Sequence, residues 1–121
     1  MINSKDKGKR YELEIANYFK NLGYKNARRS VQYNGKAEKG QADVVGVPFL
    51  HIECKHNEKL NIEEALQQAI RDNNKHSYKI PVVIHRKNRE KSKVTMTLDD
   101  FVQIYAEYYS SWVLAGMQDE E

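Results

Sequence analysis

The 121 residues include one cysteine, two prolines, one tryptophan and no long apolar run. With Cys54 alone, no intrachain disulfide framework is possible, and a reducing, cytoplasmic compartment is expected. The longest nearly apolar stretch, Val44 to Leu50, falls far short of the roughly 20 residues a membrane-spanning helix needs. The opening Met-Ile-Asn-Ser-Lys-Asp lacks the apolar centre of a secretory leader, so none is expected. No repeat, linker, low-complexity tract or Gly-rich nucleotide-binding loop is visible. What is present suits a small α/β protein with a thin core. Apolar residues make up 40%, charged residues 31%, and mean hydropathy is −0.84. This length predicts one domain that buries roughly two-thirds of its unfolded surface. The domain is expected over 1–115, with an acidic, frayed tail over 116–121.

The net charge of +3 conceals strong segregation. Residues 1–40 carry a net +6, residues 41–70 a net −3, residues 71–95 a net +6 and residues 96–121 a net −6. The last block contains no lysine or arginine. Two basic blocks with Tyr and Asn interleaved suit a phosphate backbone, against the plainer reading of a solvated face. The acidic centre needs its own explanation. Carboxylates repel phosphates unless a cation lies between them.

Tyr11, Ile15, Tyr18, Phe19 and Leu22 recur at helical period, so a helix is predicted over 5–22, capped by Ser4. Gly23 supplies a left-handed stop, with Tyr24 packing back. Residues 27–31 read as a short strand and Tyr33–Gly40 as a mobile loop. Residues 42–45 and 49–56 are β-rich runs split by Gly46-Val47-Pro48, a hairpin signal. Asn61 with Glu64 makes a capping box for a second helix, carrying Ile62, Ala65, Leu66, Ala69 and Ile70 on one face. Residues 80–85 are apolar enough for a central strand, and 94–97 form a short return. Thr97 or Asp99 caps a last helix, whose Phe101, Ile104, Tyr105, Tyr108 and Trp112 are expected in the core, with an interface as the alternative because Tyr108, Tyr109 and Trp112 are many aromatics for a terminal helix. The order α-β-ββ-α-ββ-α predicts one mixed sheet with flanking helices.

Alternation along 49–56 puts Leu50, Ile52 and Cys54 on a core face and His51, Glu53 and Lys55 on the other. A charged pair on a half-buried strand is either a plain salt bridge or a site. If numbers paired across the hairpin total 94 or 96, Asp43 shares a face with Glu53, their Cβ atoms about 4.5–8 Å apart. If they total 95, the faces differ and only a bulge brings the carboxylates together. Like charges that close are unfavourable, and a hard divalent cation reverses the sign. Lys55 beside them orients a water or stabilises charge growing on a phosphate. Glu12 lies next to core residue Tyr11, where a solvated helix residue is the plainer reading.

Four motifs then stand in order: Lys9-Arg10-Tyr11-Glu12, Arg28-Arg29-Ser30, Gln41-Ala42-Asp43-Val44-Val45 and Ile52-Glu53-Cys54-Lys55. They resemble the PD-(D/E)XK nuclease superfamily, within it the archaeal-type Holliday junction resolvases and their small phage-encoded relatives. The stretches 80–88 and 94–101 are similar to the phage group, and the resemblance covers about residues 7–105. One departure is Ala42, where the family carries proline. That position shapes backbone rather than chemistry.

The resemblance implies a restriction-endonuclease-like fold and a structure-selective DNA endonuclease, with Holliday junction resolution as its leading activity. Glu12, Asp43 and Glu53 would hold one or two Mg²⁺ ions, replaceable by Mn²⁺, with the Cys54 backbone carbonyl as a further ligand. Lys55 would position the attacking water, and Ser30 would sit near the scissile phosphate. Gln68 or Gln67, on opposite flanks of the helix, would assist Lys55. In-line attack would leave a 5′-phosphate and a 3′-hydroxyl. Arg28, Arg29, Lys36, Lys39, Arg86, Lys87 and Arg89 would track the DNA backbone, reading shape rather than sequence. A four-way junction needs two symmetric cuts, which implies a homodimer. The competing readings are a nickase, repair or restriction-type nuclease on other DNA structures, and a catalytically silent DNA-binding module. The complete set Glu12, Asp43, Glu53 and Lys55 argues against the silent module. Zinc at His51, Cys54 and His56 is disfavoured because His51 and Cys54 point to opposite faces. His76 and His85 read as surface or loop residues.

Overall fold

The computed structural model describes residues 3–30, 32–33, 36–37, 41–74, 78–117 and 119, with the backbone alone at 4, 32–33 and 36–37. The elements are α1 (Ser4–Asn21), β1 (Arg28–Arg29), β2 (Gln32–Tyr33), β3 (Lys36–Ala37), β4 (Val44–Val45), β5 (Leu50–His56), α2 (Ile62–Asn73), β6 (Ile80–Arg86), β7 (Lys93–Thr95) and α3 (Leu98–Leu114). Five strands form one mixed sheet in the order β1-β4-β5-β6-β7. β5 and β6 run parallel, joined through α2, while the other neighbours are antiparallel. This is the α/β mixed sheet with flanking helices expected from the sequence.

α1 and α2 cover opposite faces of the sheet. Tyr11, Ile15 and Ala16 of α1 bury against Val44, Ile52, Cys54, Val82 and Ile84. Ala65, Leu66 and Ala69 of α2 bury against Val83 on the other side. β5 and β6 are therefore enclosed on both faces, which is why both read as near-continuous apolar runs. The predicted stops and caps recur. Gly23 takes a φ of 111°, Tyr24 donates its N–H to the Phe19 carbonyl, and the two rings meet edge to face. Asn61 accepts from the Glu64 N–H at 3.1 Å, and Thr97 from the Asp100 N–H at 3.2 Å.

Four expectations are corrected. Asn3, not Ser4, caps α1: its side chain accepts from the Asp6 N–H, so the helix begins one residue earlier. Part of the expected 33–40 loop is an antiparallel ribbon, with Gln32 opposite Ala37 and Tyr33 opposite Lys36. Phe49 stands outside β5, exposed and at a φ of 67°, because the turn after Gly46 extends through it. The largest correction concerns α3. No residue of this helix is buried, so its aromatic stripe is not core. The helix begins just beyond β7, the outermost strand, and no described element packs extensively on it. Among the described residues, no helix is long and apolar enough to cross a membrane.

Candidate active site

The site forms where β4 ends and β5 continues. Gly46, at a φ of 86°, turns the chain between them beside the Asn26 carbonyl, where a Cβ would collide with that backbone. Val44 pairs with Ile52, a register totalling 96, while Asp43 beside it departs from the regular ladder as a bulge, its N–H turned to β5 and its carbonyl to β1. Asp43 donates its N–H to the Ile52 carbonyl at 2.9 Å, and its Oδ2 accepts the Cys54 N–H at 2.9 Å. Along a strand, one residue's N–H and C=O face the same neighbour. The Cys54 carbonyl therefore points to the edge that Asp43 occupies.

Asp43 and Glu53 lie close enough for each carboxyl to shift the other's titration. Glu53 is only 4% exposed. Burial pushes Asp43 up to about 7, and the Glu53 charge adds to the shift, while the Cys54 N–H opposes it. Burial likewise pushes Glu53 up to about 7, with the Asp72 charge adding to it. Neither carboxylate is well solvated, so each holds its proton to a higher pH than a free carboxyl does. The Lys55 ammonium lowers both, and lowers Glu12 as well, so one cation reaches all three acids. Glu12 arrives from α1, half-buried, with an Arg29 Nη2 at 3.4 Å from its carboxylate. Burial, then the Asp43 charge, raises its carboxyl. Glu12, Asp43 and Glu53 are thus coupled electrostatically to one lysine, but among the described residues the metal-ligating atoms that lie within 4.8 Å of one another are those of His51, Glu53 and Asp72, a group that leaves out Glu12 and Asp43.

Ser30 donates its N–H to the Asp43 carbonyl at 3.0 Å, which sets the end of β1 against the site. Gln68 is exposed and makes no hydrogen bond among the described residues, and Gln67 donates to Glu63 at 3.1 Å. Arg28, Lys87 and Arg89 are exposed, whereas Arg29 is tied to Glu12 and Arg86 to Glu14 at 2.9 Å. The Lys36 side chain and all of Lys39 lie outside the described residues, as does His76. The Cys54 thiol packs in the α1 core, and burial pushes its pKa up, so it is inert. His85 bonds Thr95 at 2.8 Å.

Sequence reasoning placed His51 on the Glu53 face without giving it a role, and it missed Asp72. His51 is 1% exposed, with its Nε2 at 3.1 Å from the Glu53 carboxylate. Burial lowers its pKa, so the ring is neutral. Asp72 of α2 completes a group with His51 and Glu53 whose ligand atoms all lie within 4.8 Å of one another. Two signals were available. Asp72 follows Ala65 by seven positions and Ala69 by three, on the buried stripe of α2. It also places an acid in the helix's last turn, where the macrodipole disfavours negative charge. The hard oxygen donors of Asp43, Glu53 and Glu12 suit a divalent cation of the Mg²⁺ type, and the imidazole offers a softer donor alongside.

A family model described as "Phage putative PDDEXK endonuclease" matches residues 3–118. No curated protein and no solved structure matches the chain.

Proposed function

From the PDDEXK endonuclease family of phage, to which the chain belongs, we propose a divalent-metal-dependent endonuclease that cuts branched DNA in the host cytoplasm. The four-way junction is its leading substrate. The observation that carries this reading is the pair formed by half-buried Asp43 and buried Glu53, two neighbouring carboxyls on adjacent strands that burial pushes up to about 7. Such a pair costs stability in a protein that has no cation to place there.

Asp43 and Glu53, with Glu12 and the Cys54 carbonyl, would hold Mg²⁺, which Mn²⁺ would replace. When bound, the ion supplies positive charge that polarises the phosphodiester and lowers the pKa of nearby water. The chain's own groups do the rest. Lys55, beside all three acids, orients the attacking water and steadies charge on the phosphate. Ser30, anchored to Asp43 through the backbone, supplies a hydroxyl beside the strand that carries the acids. Arg28, Lys87 and Arg89 are exposed and take phosphates of the backbone. A junction demands two symmetric cuts, so the working form is a homodimer.

The test is cleavage of a four-way junction, a flap, a single strand and a plain duplex, with Mg²⁺, with Mn²⁺ and with EDTA. Junction cleavage that EDTA stops is expected. Asp43→Asn is expected to lower it at least about 10³-fold, the effect of losing ~4 kcal/mol of transition-state stabilisation, while DNA binding stays near wild type. Cleavage of plain duplex in preference to the junction would redirect the reading to a restriction-type enzyme. Full cleavage by Asp43→Asn would remove Asp43 from the chemistry.

A further inference from the structure

We infer that α3 is the contact surface for a second copy of this chain. Helices that are apolar on every side are ordinarily buried. Between Phe101 and Val113 the only charged residue is Glu107, and five positions are aromatic: Phe101, Tyr105, Tyr108, Tyr109 and Trp112. All five are at least 44% exposed. The rings of Phe101, Tyr105, Tyr108 and Trp112 follow one another along the helix with centroids 5.9–6.5 Å apart. A shallow groove of about 350 Å³ runs beside them, lined by Tyr105, Tyr108, Tyr109, Trp112, Val113 and Met117, with Asp119 closing it.

Charge narrows what can cover this surface. Residues 96–121 carry a net −6 and no cation, so the helix repels both nucleic acid and anionic lipid. The occupant is a protein. The helix has the anatomy of an interface, rich in aromatics and free of lysine through its middle, with acids at Asp99 and Asp100 on one end and Asp119 beyond the other. A two-fold axis near Tyr105 and Tyr108 sets apolar surface on apolar surface and leaves the acidic ends at the solvated rim. A second copy therefore fits without a complementary sequence.

Exposure gives the same answer. Ten apolar or aromatic side chains of α3, from Leu98 to Leu114, are each at least 40% exposed, a continuous surface 17 residues long that the chain's own described elements leave uncovered. α3 follows β7, and its Gln103, Ile104, Ala106 and Glu107 line a groove with Ile80 at the start of β6. The choice of a second copy rests in part on the endonuclease reading, with its two symmetric cuts. The contact is tested without DNA or metal, so its failure is distinguishable from failure of that reading.

The experiment combines light scattering with the fluorescence of Trp112, the only tryptophan. At high micromolar concentration the wild-type chain is expected at twice 14.2 kDa, with blue-shifted emission that moves to the red on dilution. Tyr105→Lys/Tyr108→Lys, folded by far-ultraviolet circular dichroism, is expected at 14.2 kDa with water-exposed emission at every concentration. Neither tyrosine is buried in the chain's own fold, so this variant tests the contact rather than folding. A monomeric wild type with solvent-exposed Trp112 would overturn the inference. So would a dimer that the double variant leaves intact.

Discussion

Asp43 and Glu53 each hold a proton up to about pH 7, whereas an unfolded carboxyl releases it near pH 4. The folded, metal-free protein therefore binds more protons than the unfolded chain between those values. Its stability is full below about pH 4 on this account and falls as pH rises toward 7. In EDTA, the wild-type Tm is expected to drop between pH 5 and pH 8. Asp43→Asn removes one of the repelling charges, so at pH 8 in EDTA it should melt above wild type, by about 4 °C for each kcal/mol recovered. Added Mg²⁺ should raise the wild-type Tm and leave the variant nearly unmoved. A wild-type Tm that climbs with pH in EDTA would contradict this account of the two raised carboxyls. His51 belongs to the same scale. Its Nε2 lies 3.1 Å from the buried Glu53 carboxyl, so His51→Leu should cost about 1–3 kcal/mol by leaving that carboxyl without its partner. His51→Gln keeps a donor and should melt closer to wild type in matched scans. Strand alternation made the Glu53 face legible in the sequence, including His51. Asp72 was overlooked because its meaning depends on α2 crossing that face, a tertiary fact no local pattern states.

At the level of elements, the hairpin that carries the site depends on one backbone conformation. Gly46 combines a φ of 86° with a close approach to the Asn26 carbonyl. Gly46→Ala adds a Cβ that the positive φ disfavours and that Asn26 has no room for. A loss of about 2–4 kcal/mol is expected, since strain of ~1–3 kcal/mol adds to the steric shift. Urea denaturation should report it as a lower midpoint with an unchanged m-value, and junction cleavage should fall with it because the turn sets the Asp43 register. The hairpin was readable because Gly-Val-Pro splits two β-branched runs, and α1 and α2 because their apolar residues recur at 3.6. The β2–β3 ribbon was not, since its Gly, Lys and Asn composition reads as loop. α3 shows the other limit of pattern reading. Periodicity reports that a helix has an apolar face, and it does not report whether this chain or another one covers it.

Across the whole molecule, the charge blocks resolve into two kinds of cation. Arg29 and Arg86 are committed within the fold, to Glu12 and to Glu14, and the Arg86 guanidinium also lies 5.2 Å from the Tyr11 ring centroid. Arg28, Lys87 and Arg89 are exposed and make no ion pair among the described residues. Sequence could place all five in basic blocks, but it could not sort them, because the partners Glu12 and Glu14 are 17 and 72 residues away. The sorting has a measurable consequence. A cation that neutralises a phosphate releases counterions, so each one steepens the fall of affinity with salt. Lys87→Ala and Arg89→Ala should each flatten the plot of log affinity against log salt by about 1, with Tm unchanged. Arg86→Ala should act in the opposite manner. It removes an ion pair and a cation over Tyr11, so it should lower Tm while the salt slope changes less than with Lys87→Ala. Junction binding titrated at four salt concentrations, beside thermal melts of the same three variants, separates the two classes. Equal slopes for all three variants would mean that the committed and exposed cations meet the backbone alike, and the division drawn from Glu12 and Glu14 would be wrong.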